Sequence, residues 1–293
     1  RVLGAITLLC FMWGYLWVPM KISLQTFPPF LFTSLRLLFG AICLFILQIF
    51  LKKPIFPHRQ DWPKIFCVSA LMCIGYYGLS TFGMQYVGSG LSAILVYTMP
   101  IIISVLAHYF LSERLNRQKI LGLILGSIGI IAILWQQLRH FQFNLMLFGE
   151  LIIIGAGFFW ACATVYMKKA FVGYDKLKLT MWQLLIGGMM VLVFAICTED
   201  LSHIAWQNPM TILYMTYSSV LGTACAFYLW NWIVSQIDAS IASISIMSVP
   251  LLGMFFGHIQ LHEPITVNVV VGAILICLGI VSCSMKMKTA QSH

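Results

Sequence analysis

Long apolar stretches, broken at short intervals by a few polar or helix-breaking residues, organise the chain from end to end. They fall at residues 2–21, 30–51, 65–84, 91–111, 119–137, 147–167, 179–198, 210–234, 240–260 and 267–285. Crossing a hydrocarbon core of about 30 Å takes about 20 apolar residues in a helix, so each stretch predicts one transmembrane helix, ten in all. Breakers stand in the gaps: Pro28 and Pro29, then Pro54, Pro57 and Pro63, then Gly88 and Gly90, and Pro209 before the eighth stretch. Only short loops are left over. They cannot hold a soluble domain of useful size, so the function belongs to the bundle itself. The first stretch is apolar enough for a signal peptide. Trp13, Trp17, Met20 and Lys21, however, stand where small residues before a cleavage site are expected, and it is read as a retained helix.

Composition agrees: 61% of the residues are hydrophobic and 9% charged, against about 25% charged in soluble domains. The nine cysteines lie in apolar stretches without CxxC or zinc-like spacing, so they read as small core or lipid-facing residues, and no cofactor is expected. The formal charge of +9 comes from inter-helix loops and forms no contiguous basic face, which argues against a nucleic-acid partner. With the amino terminus inside, Arg1, Lys52, Lys53, Arg59, Lys64, Arg114, Arg117, Lys119, Lys168, Lys169, Lys176, Lys178, Lys286 and Lys288 are cytoplasmic. Lys21 and Arg139 fall on the other side. That bias follows the positive-inside rule and places both termini in the cytoplasm, with the chain in a cell membrane, plasma or inner.

The chain also matches itself. At an offset of about 147, Phe11, Trp13, Met20, Lys21, Thr33, Leu37 and Gly40 recur as Phe158, Trp160, Met167, Lys168, Thr180, Leu184 and Gly187. At about 150, Pro100, His108, Leu111, Glu113, Gly122 and Gly129 meet Pro250, His258, Leu261, Glu263, Gly272 and Gly279. The expected fold is therefore all-α and integral to the membrane, with two five-helix repeats at 1–137 and 147–288. Five is odd, so the copies are inverted, the arrangement that underlies alternating access.

Candidate chemistry follows from depth. Arg36 is the basic residue well inside a span, about 9 Å from its helix start. It is either a ligand-binding charge or a snorkelling anchor, and its repeat partner is the neutral Gln183. Pro100 and Pro250 deprive the carbonyls of Val96 and Ile246 of their helical partners, giving a hinge or a static kink. Trp13 and Trp160 lie near the midplane. With Trp17, Tyr76, Tyr77, Tyr97, Trp182, Tyr228, Trp230 and Asn231 they form the set that either lines a substrate cavity or packs the core, whereas Trp62 and Trp206 suit interfacial anchoring. His108 and His258 are a symmetric pair able to relay protons or to bond a neighbouring hydroxyl or carbonyl. Glu113 and Glu263 end helices where the dipole disfavours a carboxylate, which suggests basic partners. The Gly122, Gly126, Gly129 row and the Gly253, Gly257 pair are packing signals, with a dimer contact among their uses.

These features resemble the ten-helix EamA branch of the drug/metabolite transporter superfamily. The residues carrying the resemblance are Trp13 and Trp160, Arg36, Pro100 and Pro250, LSERL at 111–115 and LHEPI at 261–265, with Gly122, Gly126 and Gly129. The resemblance implies export or exchange of metabolites, amino acids or drugs through a cavity walled by helices one to four and six to nine, with the fifth and tenth peripheral. Short multidrug relatives carry a glutamate in the first helix where this chain has Trp13, so the resemblance does not extend to proton-coupled export of bulky cations. The expected function is a secondary transporter for a small organic solute such as an amino acid or related metabolite. The expected partners are that solute and the bilayer, and the chain acts as a monomer or homodimer. Two other readings stay open: a metal-dependent membrane enzyme using His258, His262 and Glu263, and a channel.

Overall fold

The computed structural model describes residues 2–112, 117–139, 144–201, 208–239, 242, 246 and 248–284; Glu113 and Trp206 lie outside them, as does most of 240–247 at the start of the ninth predicted span. The helices are α1 (Val2–Ser23), α2 (Pro29–Phe50), α3 (Arg59–Gly83), α4 (Ser89–Phe110), α5 (Arg117–Arg139), α6 (Leu145–Ala170), α7 (Lys176–Thr198), α8 (Pro209–Gln236), α9 (Ser248–Leu261) and α10 (Val267–Ser284). Among the described residues, seven helices are long and apolar enough to cross a membrane: α1 to α4 and α6 to α8. The other three predicted spans fall on shorter apolar helical stretches, Ile120–Ile133, Ser248–Leu261 and Val267–Gly279.

Helix starts follow from local chemistry. Pro29 stands at the first position of α2 and Pro209 at that of α8, where the missing N–H is harmless. Asn144 accepts from Leu147 N at 2.8 Å to cap α6, and Asp175 accepts from Leu177 N at 2.9 Å to cap α7. Burial alone would raise the Asp175 carboxyl. The N–H of Lys178 and the Lys53 ammonium, 3.1 Å away, nevertheless hold it below its ordinary value.

Among the described residues, three helices are irregular in their middles. Wide π-helical turns occupy Ala70–Gly78 in α3 and Val220–Cys225 in α8, at positions about 150 residues apart. α4 breaks between Val96 and Met99, where Tyr97 N and Thr98 N turn back to Ile94 O and Leu95 O, three residues earlier, ahead of Pro100. Such interruptions within apolar helices are tolerated where protein or a cavity surrounds them.

Packing sets the interior. α2 lies along α7, α1 along α9 and α8, α4 against α9 and α6, and α3 against α6 and α7. α5 and α10 pack mainly on each other, because glycine lets their backbones meet. A Cβ on Gly279 would stand 2.7 Å from Gly122 O, and one on Gly129 2.8 Å from Gly272 O. The glycine row thus serves a contact within the chain. Outward faces carry large exposed apolar side chains such as Phe45, Phe158, Val193, Phe255 and Ile274, which only lipid solvates well. The chain is a multi-pass membrane protein.

Contacts tie each end of the bundle differently. At the end holding Lys21, its ammonium donates to Met84 O and to Val87 O at 2.8 Å. There Glu199 accepts from Phe30 N and Leu31 N at 2.7 and 2.8 Å, capping α2, while burial pushes its carboxyl up. Glu263 accepts from Ser89 N and Gly90 N at 2.6 and 2.8 Å, capping α4. The basic neighbour expected of Glu263 is Lys21, whose charge interacts with the carboxylate, while the carboxylate's hydrogen bonds come from the positive start of α4. At the opposite end, Lys53 pairs with Asp175, and Lys168 lies 3.9 Å from Asp238.

Candidate functional site

The irregular middles of α3 and α4, with α1, α2, α6, α8 and α9, line one small cavity within the bundle. It is lined by Trp13, Leu16, Trp17 and Met20 of α1, Arg36 of α2, Tyr76 and Tyr77 of α3, Val96, Tyr97 and Met99 of α4, Trp160 of α6, Phe227 of α8 and Val249 of α9. Its volume is about 20 Å³, enough for about one water and far too little for an organic solute. The site is occluded in this conformation.

Aromatic rings do the occluding. Trp13 and Trp160, the repeat-related pair, meet edge to face at 5.3 Å, and Trp160 meets Tyr76 the same way at 4.4 Å. Phe227 packs on Trp13, Trp160 and Tyr77 at 5.5, 5.2 and 5.0 Å, and Trp230 backs the two tryptophans at 5.7 Å from each. Edge-to-face pairs at these distances are favourable beyond their buried area. The π-helical turn of α8 presents the Gly222 carbonyl to Trp13, whose Nε1 donates to it at 3.2 Å. Trp160 has no such partner: its Nε1 is buried and meets no acceptor among the described residues.

Arg36 is the charge in this wall, and it is 1% exposed. Its guanidinium lies 4.5 Å from the centroid of Tyr77 and 6.0 Å from that of Phe32, and one nitrogen donates to the Met20 sulfur at 2.7 Å. A thioether is a weak acceptor, and Arg36 Nε meets none among the described residues. Cation–π contact offsets part of the cost of burying the charge. It does not replace an anion.

Seven of the candidate substrate residues thus share one cavity: Trp13, Trp17, Arg36, Tyr76, Tyr77, Tyr97 and Trp160. Others do not. Trp182 sits at the Lys53 end, donating to Ile55 O at 2.8 Å and edge-on to Trp62 at 4.8 Å, as suits an amphipathic anchor. Gln183 is buried outside the lining, and Asn231 lines a separate cavity. Among the candidate hinges, Pro100 directly follows the cavity-lining Tyr97 and Met99, and Pro250 follows Val249. His108 and His258 do not reach the cavity; His258 Nδ1 lies 3.0 Å from Glu263 O, in its own turn. Sequence reasoning missed Phe227, Met20, Leu16, Met99, Val96 and Val249. The repeat offset of about 150, applied to Tyr77, points to Phe227.

With the geometry in hand, similarity to known proteins is informative. Residues 2–135 and again 147–285 match the EamA-like transporter family. The uncharacterized transporter YoaV of Bacillus subtilis is 38% identical over 280 residues, covering 96% of this chain and 95% of that protein. A protein of Salmonella typhimurium described as a probable amino-acid metabolite efflux pump is 25% identical, over 92% of this chain and 89% of its own. One solved crystal structure superposes with a TM-score of 0.76 over 98% of each chain, at 16% identity, which speaks to the fold alone.

Proposed function

The chain belongs to the EamA-like transporter family of the drug/metabolite transporter superfamily, and we propose that it is a secondary carrier exporting or exchanging a small carboxylate-bearing solute, amino-acid-like in chemistry. It is a membrane transporter; the substrate and mechanism are the proposal. The observation that carries it is Arg36, a buried guanidinium on the wall of an aromatic cavity, offering a planar fork of donors that suits a carboxylate. The aromatic rings would hold the apolar part of the solute. The efflux-pump description of the Salmonella relative supports the same substrate class.

In this reading the chain has ten spans in two inverted units, 1–137 and 147–288, with both termini cytoplasmic. The two family matches, the paired π-helical turns and the paired prolines support the duplication. Alternating access then consists of parting the Lys21 end, which Lys21, Glu199 and Glu263 hold shut, in exchange for the Lys53 end. Purified protein in vesicles preloaded with unlabelled amino acids, tested one at a time, should show saturable counterflow of at least one labelled counterpart. Non-saturating ohmic current in its place would mark a channel, and no counterflow of any amino acid would remove the substrate class.

A further inference from the structure

Asn231 is fully buried in α8, and Thr180 of α7 fixes which way its amide faces. The Thr180 hydroxyl donates to Lys176 O at 2.7 Å, so its oxygen is left to accept, and it accepts from Asn231 Nδ2 at 2.6 Å. Asn231 Oδ1 therefore remains as a buried acceptor that meets no donor among the described residues. Buried polar groups are nearly always satisfied, and an exception calls for a water, an ion or a ligand.

The same residue lines a cavity of about 440 Å³ that opens to the surface and includes Lys168, Tyr174, Lys176 and Trp232. That volume is within the range of small-molecule sites. Its rim is basic. Lys176 donates to Phe171 O at 2.8 Å, and an ammonium has three donors, so others remain to be used. Lys168 bonds Ile237 O at 3.3 Å and lies near the exposed Asp238. The other nearby acid, Asp175, spends its carboxylate on Lys53 and on the N–H groups of Leu177 and Lys178. One residue before Asn231 stands Trp230, which packs on Trp13 and Trp160 and so ties this stretch of α8 to the aromatic cluster of the central cavity.

We propose that this cavity is an access vestibule, a second solute subsite in which Asn231 Oδ1 accepts from the ammonium of an amino-acid-like solute while Lys168 and Lys176 hold its carboxylate. It rests on the carrier reading above. The solute docks here from the Lys53 end and advances to Arg36 when the aromatic cluster of Trp13, Trp160 and Phe227 parts. The vestibule selects for two head groups at once, a donor and an anion, whereas Arg36 selects for the anion alone.

The test uses Ser235→Cys, at an exposed position on the cavity lining, in the full chain reconstituted in vesicles, with the parent chain as background for labelling. The rate of modification by a water-soluble maleimide is read with each L-amino acid, with 3-methylbutylamine and with 4-methylpentanoate, and counterflow is read on the same vesicles. At least one amino acid should slow labelling, and neither single-headed probe should. Asn231→Leu should raise the half-protecting concentration about tenfold, the effect of one lost charge-assisted hydrogen bond. Asn231→Asp keeps an acceptor, so it should retain protection by the amino acid and gain protection by 3-methylbutylamine; it decides the matter alone if Asn231→Leu does not fold. Counterflow without protection overturns the vestibule and leaves the carrier. Protection without counterflow keeps the site and removes the carrier. Protection that survives unchanged in Asn231→Leu, or is lost in Asn231→Asp, overturns the assignment to Asn231.

Discussion

Replacing Glu263 with glutamine removes a charge from the contact that holds α4 at the Lys21 end. The carboxylate accepts from Ser89 N at 2.6 Å and Gly90 N at 2.8 Å, at the positive end of a helix dipole. Glutamine offers one uncharged oxygen, so one N–H loses its acceptor and the other keeps a neutral bond. Charge-assisted bonds contribute about 1.5–3 kcal/mol and neutral ones about 0.5–1.5 kcal/mol. Glu263 is half-buried, so a net figure of about 2 kcal/mol in favour of opening is reasonable, which is roughly 30-fold in the equilibrium. Ser92, fully buried in α4 and three residues past Ser89, reports it. In a Ser92→Cys background, Glu263→Gln should raise the rate of labelling by a water-soluble maleimide by about that factor. Gly257→Ala should act in the same direction by another route, since its Cβ would stand 2.7 Å from Glu263 Oε2. Unchanged labelling in both folded variants would refute the idea that this carboxylate holds the end shut.

Other expectations are as specific. Gly279→Ala places a Cβ against the backbone of Gly122 and Gly126, so α10 must move off α5, at a cost of about 1–3 kcal/mol. The apparent melting temperature in detergent should fall by several degrees while ligand binding by the remaining folded protein is kept. Asp175 is held below the ordinary carboxylate value, so its contribution is present above that value and lost as pH falls through the lowered one. The stability gap between the parent and Asp175→Asn should therefore be open near neutral pH and narrow below about pH 4, read by melting across pH. Pro100→Ala restores a donor for Val96 O and should slow counterflow more than it weakens binding, as expected of a hinge.

The sequence carries the helices well because a bilayer leaves the backbone almost no other choice, and apolar length is then enough to read α1 to α4 and α6 to α8. That Trp13, Trp160 and Arg36 lie well inside their helices is equally legible, because position along a helix follows from counting residues. Rotation about the helix axis is a different matter. Trp182 and Gln183 lie on α7, a regular helix packed along α2 and α3, and none of its side chains lines the cavity. Local sequence has no marker for a π-helical turn here, so Phe227 went unnoticed although its repeat partner Tyr77 did not. The Glu263 cap was missed for a related reason. Its partner is a main-chain N–H pair 174 and 173 residues away, which has no side-chain signature.

The central claim, that Arg36 receives the carboxylate of the solute, is tested most directly by counterflow of the identified amino acid through Arg36→Gln and Arg36→Lys proteins shown to be folded and inserted. Lysine keeps the charge but loses the fork, so transport should fall in part, and with glutamine it should fall further, with the half-saturating concentration rising in the same order. Parent-like counterflow and affinity in folded Arg36→Gln would contradict the account and leave Arg36 as a buried anchor held by Tyr77 and Met20.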